Sequence, residues 1–132
     1  MDKKIKLYHK KVYLPQVLIE QVISQQKNIE RYKFSNHLRQ RFNDTDKSHN
    51  QVTFEKVLGV IKCLKYKPLV PFEVETRMVD DMERVTKYVI RKKCSYKEDI
   101  CLVIRGCTII TAYINNSRDK HPTLDKSKYV KF

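Results

Sequence analysis

Apolar positions change their spacing once along this chain, from a helical repeat before residue 68 to a strict alternation after it. Leu14, Leu18, Val22 and Ile29 recur near a 3.6-residue period and Pro15 suits a first turn. The pattern predicts a helix from Pro15 to about Arg31 with a glutamine-rich, solvated opposite face. Residues 1–13, MDKKIKLYHKKVY, read as a basic lead-in, extended or ragged. Ser35 is placed to cap a short helix over Asn36–Phe42, with Leu38 and Phe42 four apart on its buried side. His37 and Arg41, also four apart, share a neighbouring face. After a polar loop at 43–51, Thr53 caps a third helix, Phe54–Leu64, whose Val57, Val60, Ile61 and Leu64 form a core stripe.

Beyond Pro68 the period is two. Phe72, Val74, Thr76 and Met78 alternate with Glu73, Glu75 and Arg77, and Asp80–Asp81 reads as a turn. In ERVTKYVIRKK (83–93), Val85, Lys87, Val89 and Arg91 fall on one side and Thr86, Tyr88 and Ile90 on the other. ICLVIR (100–105) and TIITAYIN (108–115) flank a tight turn at Gly106–Cys107. Helices followed by strands predict a single α+β domain, N-terminal helices packed on a four-stranded antiparallel meander sheet. The divisions are lead-in 1–13, helical part 14–67, sheet 68–115 and a C-terminal surface tail 116–132 with one helical turn near Thr123.

Charge sharpens this picture. Lys and Arg number 28 against 15 Asp and Glu, a net +13. Residues 1–68 hold 15 basic against 6 acidic groups, residues 69–99 hold 7 against 7, and residues 100–132 hold 6 against 2. A neutral middle between basic ends predicts a surface that is positive on one side and attracts nucleic acid or anionic lipid. The four cysteines, at 63, 94, 101 and 107, match no zinc spacing and read as unpaired thiols of a reducing interior. No apolar run approaches the length of a membrane span. The expected location is therefore cytoplasmic, without a membrane partner.

Phosphate-loop, dinucleotide, zinc-protease and nucleophile-elbow motifs are missing, and carboxylates do not cluster in the basic regions. Neither metal nor cofactor is expected. Metal-free RNA cleavage by 2′-OH attack asks only for an acid, a base and positive or hydroxyl groups at the phosphate. His37, beside Arg39 and Arg41, is the best-placed imidazole; His121 sits among basic neighbours in RDKHPTLD; His9 and His49 read as solvated. Arg91 is a strand cation suited to a phosphate, and Thr111 and Tyr113 point the same way on the last strand.

FSNHLRQRF, VTKYVIR and DICLVIRGCTIITAYINNSRDKHPTLDKSKY resemble the barnase–EndoU–colicin–RelE class of ribonuclease folds, in small proteins of phages and mobile elements. The S-x-H-x-x-x-R helix (Ser35, His37, Arg41) and the final TAY strand carry the resemblance, which covers roughly residues 32–130. It implies a metal-independent endoribonuclease of mRNA or tRNA that leaves a cyclic phosphate, acting in a bacterial host cell. The implied catalytic residues are His37, Arg91, Thr111 and His121, with Arg39, Arg41, Lys87, Tyr113 and Asn115 binding RNA. Asn115, Asp119 and His121 match the tail motif of the class. Two rivals remain open: a non-catalytic basic nucleic-acid-binding protein, and a factor that binds an inhibitor or host protein.

Overall fold

The computed structural model describes residues 7–11, 14–43, 52–124 and 129. The rest of the lead-in, most of the 43–51 loop with His49, and most of the chain's last eight residues lie outside the described residues. The elements are β1 (Tyr8–Lys10), α1 (Gln16–Asn28), β2 (Lys33–Phe34), α2 (Asn36–Asn43), α3 (Phe54–Ile61), β3 (Glu73–Val79), β4 (Met82–Lys93), β5 (Glu98–Arg105) and β6 (Thr108–Asn116). The class is α+β, as the segregated pattern predicts.

The sheet has six strands rather than four, in the order β1-β3-β4-β5-β6-β2. The expected meander forms its centre. β1 adds antiparallel to β3 and β2 adds parallel to β6, which makes the sheet mixed. Three and two residues are too short to carry an alternation. Both strands form because the outer edges of β3 and β6 present unpaired backbone groups that a passing segment satisfies.

Local chemistry explains the turns. Asp80 and Asp81 both take positive φ (51° and 64°), the conformation of a two-residue hairpin turn that aspartate tolerates. Gly106, at φ 57°, supplies the equivalent freedom in the β5–β6 turn. Thr53 caps α3 by accepting from the Lys56 N–H, and Ser35 Oγ accepts from Leu38 N at the start of α2.

Two expectations about faces are corrected. A bulge pairs Thr76 with Val85 but Glu75 with Lys87, so Thr86 is the extra residue. Val85 therefore turns to the helix side with Tyr88 and Ile90, leaving Lys87, Val89 and Arg91 on the other. The glutamine face of α1 is not simply solvated. Gln26 is fully buried and exchanges both hydrogen bonds with the Leu69 backbone (2.7 and 2.8 Å), while Gln21 bonds Val85 N and Glu83 O (both 2.9 Å). An amide side chain carries the donor and acceptor of a peptide group. That of Gln21 fits where β4 outreaches β5 and would otherwise leave a bare edge.

The main core lies between the helices and one sheet face, with Leu18, Val22, Leu38, Val57 and Leu64 against Val74, Tyr88, Ile90, Leu102 and Ile109. The opposite face is covered as well. Val89 and Val103 pack under Leu124 and Tyr129, so the C-terminal segment, expected as a surface tail, roofs the second face.

Candidate nucleic-acid interface

Beneath that roof is a network of polar side chains. Glu73, wholly buried, accepts from Thr123 N (2.7 Å) and Leu124 N (2.8 Å), and its Oε1 lies 3.1 Å from His9 Nε2. Glu75 receives hydrogen bonds from Thr86 (2.6 Å) and the Tyr129 hydroxyl (2.8 Å), with Lys87 Nζ 3.4 Å away. Burial works to raise the Glu75 pKa, but these partners outweigh it and hold the carboxyl below its usual range. His9, expected in water, is 11% exposed and packs against the Tyr129 ring.

Arg91 and Lys87 are part of this network. Arg91 donates to Asp119 O and Asn116 O (3.1 Å), pairs with Asp99 at 3.2 Å and lies over the Phe72 ring, with its side chain 7% exposed. Its two terminal nitrogens are engaged, while the buried Nε has no partner among the described residues, so a phosphate reaching those two nitrogens would have to displace the chain's own carbonyls and carboxyl. Thr111 is half-buried on the same face, across from Val103. Tyr113 bonds Thr123, and burial pushes its hydroxyl up to about 12.

The tail motif does come together. Asp119 accepts from the His121 ring and backbone N–H and from Asn115. The bond from the His121 ring is the largest influence holding its carboxyl down at about 2. His121 itself is 88% exposed. His37 is exposed on α2, whose Arg41 and Ser35 bond carbonyls of the free β6 edge, at Ala112 (3.0 Å) and Ile110 (2.5 Å). Among the described residues, no hydrogen bond, ion pair or ring contact joins His37 to Arg91, Thr111 or His121. Arg91 and His121 meet through Asp119, Thr111 shares the face of Arg91, and His37 stands apart.

Open positive charge collects elsewhere. A cleft of about 780 Å³ runs between the end of α1, β2, the start of α2 and the end of α3. Its walls carry Arg31, Lys33, Arg39, Lys62 and Lys65 against one carboxyl, Glu30, which pairs with Lys65 at 3.0 Å. Among the described residues, Arg31, Lys33, Arg39 and Lys62 have no acidic partner. Tyr32, Phe34 and Tyr66 supply aromatic surface, and the Tyr66 ring is 81% exposed. Burial lifts the Tyr32 hydroxyl to about 12, and the hydroxyl oxygen itself is buried behind the cleft's inner wall. The arrangement suits a phosphate chain along the cations and bases on the rings.

Of the cleft's cations, the sequence pattern marks Arg39 alone as a candidate for binding nucleic acid. Lys62, Lys65 and Tyr66 follow one another at helical spacing after a buried stripe, and that was the available signal. The partnership of Glu73 with His9 spans 64 residues and left no local trace. Comparison with protein-family models, curated proteins and solved structures gives no match for this chain. The functional reading therefore rests on geometry and charge.

Proposed function

We propose that the chain binds single-stranded RNA in the Arg31–Tyr66 cleft, as a basic, sequence-tolerant nucleic-acid-binding protein. The observation that carries this reading is the gathering, in one cleft of about 780 Å³, of an open tyrosine ring and four cations without an acidic partner among the described residues. Arg31, Lys33, Arg39 and Lys62 neutralise successive phosphates and release their counterions, while Tyr66 stacks a base. RNA is named on the resemblance in the sequence alone, since the cations and the ring of the cleft do not read the sugar. The test is fluorescence anisotropy with a labelled 20-mer oligouridylate. Arg39→Ala combined with Lys62→Ala weakens binding by roughly tenfold or more, whereas Arg84→Ala, exposed on β4 away from the cleft, does not. Equal affinity of the double variant and the native chain would defeat the reading.

Cleavage of the bound strand by its own 2′-OH is the second reading, favoured by the His121–Asp119 pair. Asp119 accepts a hydrogen bond from the His121 ring at Nδ1, which orients the exposed ring with Nε2 free of that contact, beside Lys120 and Arg118. It predicts cyclic-phosphate products from RNA in EDTA, lost in His121→Ala. Intact RNA with the native protein would remove it and leave the binding proposal standing.

A further inference from the structure

At the opposite end of β6 the β4–β5 turn and the chain after β6 enclose a second cavity, of about 430 Å³. Lys93, Tyr96, Lys97, Asn116, Ser117 and Arg118 line it, three cations and, among the described residues, no carboxyl. The Tyr96 ring is 84% exposed, with Lys93 Nζ 5.6 Å from its centroid. Nearby acids are engaged within the fold: Asp99 by Arg91 (3.2 Å) and Ser117 (2.7 Å), and Glu98 by Ser95 (3.3 Å). The floor is held in place by Ser117 N–H donating to Lys97 O (2.8 Å), which ties the two walls together, and by Arg91 gripping Asn116 O from below. A large ring standing almost wholly in water beside three cations has no role in either core.

We propose that this cavity is a second nucleotide pocket, in which Tyr96 stacks a nucleobase and Lys97 and Arg118 hold the adjoining phosphate. The proposal rests on the reading of the Arg31–Tyr66 cleft as an RNA-binding surface, and it makes that surface one end of a two-point grip. β2 joins the first cleft to the Thr108 end of β6, and the second pocket begins at Asn116. Nine residues of strand separate the two by roughly 27 Å. A strand long enough to reach both gains affinity because its second contact is made at high effective concentration; a short strand occupies one site only.

Fluorescence anisotropy with 4-mer and 20-mer oligouridylate tests this on the full chain. Tyr96→Ala and Arg118→Ala, both at exposed positions, weaken the 20-mer by about tenfold, within the factor of roughly 5 to 150 that one stacked base contributes, and leave the 4-mer unchanged. Unchanged 20-mer affinity in both variants, with Arg39→Ala/Lys62→Ala still weakening it, would overturn the second pocket and leave the first cleft intact. Failure of the native protein to bind either length would overturn both. Oligothymidylate of the same lengths shows the same Tyr96 effect, since neither stacking nor phosphate contact reads the sugar. An effect confined to one sugar would contradict the assignment.

Discussion

Replacing Glu73 by alanine probes the element that the sequence pattern hid most completely. Three donors converge on this carboxyl: Thr123 N–H at 2.7 Å, Leu124 N–H at 2.8 Å and His9 Nε2 at 3.1 Å. If the C-terminal segment stays in place, each buried donor left without a partner costs about 1–3 kcal/mol, so the three together cost about 3–9 kcal/mol. If the segment lifts away instead, Leu124 and Tyr129 return to water, and each buried side chain of that size contributes about 1.5–3 kcal/mol. Both routes predict a loss of at least about 3 kcal/mol, a large part of the 5–15 kcal/mol typical of a domain. Urea unfolding measures the loss, and limited proteolysis distinguishes the routes, because a lifted segment is cut beyond Asn116 while the rest survives. Glu73→Gln keeps an acceptor but turns an NH₂ toward a donor, and falls between alanine and the native residue. A loss below 1 kcal/mol with native protease resistance would refute the view that Glu73 anchors the segment.

Arg91→Met removes the grip on Asn116 O and Asp119 O and leaves Asp99 short of its main partner. It lowers stability in urea by about 2–4 kcal/mol without weakening a 4-mer in the Arg31–Tyr66 cleft. The Glu75 and Asp119 carboxyls both lie below their ordinary pKa in the folded state. Their stabilisation is present above the usual carboxyl range and is lost as pH falls through it toward about 2, so protease sensitivity beyond Asn116 rises in acid. Tyr32 and Tyr113 are raised to about 12 and Tyr88 is raised further. Stability therefore falls as pH climbs above the ordinary tyrosine value toward 12, and ultraviolet titration shows Tyr32, Tyr88 and Tyr113 ionising late. Gly106→Ala forces a side chain into φ 57°. Open space surrounds the position, so it costs only about 1–2 kcal/mol of conformational energy in thermal unfolding.

Elements with a long period were readable in the sequence. The stripe Val57, Val60, Ile61 and Leu64 and the caps at Ser35 and Thr53 placed α2 and α3 within a few residues. The alternation after Pro68 placed the four central strands. Features that depend on distant partners were not readable. β1 and β2 are edge additions, and the Thr86 bulge turns Val85 over because of its pairing with β3 rather than its neighbours. Glu73 and Glu75 looked like the solvated half of an alternating strand, yet a segment about 50 residues downstream buries them. The same roof takes Arg91 out of water, which is why a strand cation that suits a phosphate is spent on the fold. Candidate nucleic-acid residues were legible as a class, through the charge balance of residues 1–68, but only folding shows which cations share a cleft.

The salt dependence of binding tests the cleft most directly. With Arg31, Lys33, Arg39 and Lys62 each neutralising one phosphate of a short single strand, log K against log salt has a slope of about −2.8, so affinity falls roughly 50-fold between 50 and 200 mM salt. Removing Arg39 and Lys62 together halves that slope, to about −1.4. A slope near zero for the native protein, or one that the double substitution leaves unaltered, would contradict a phosphate-gripping cleft.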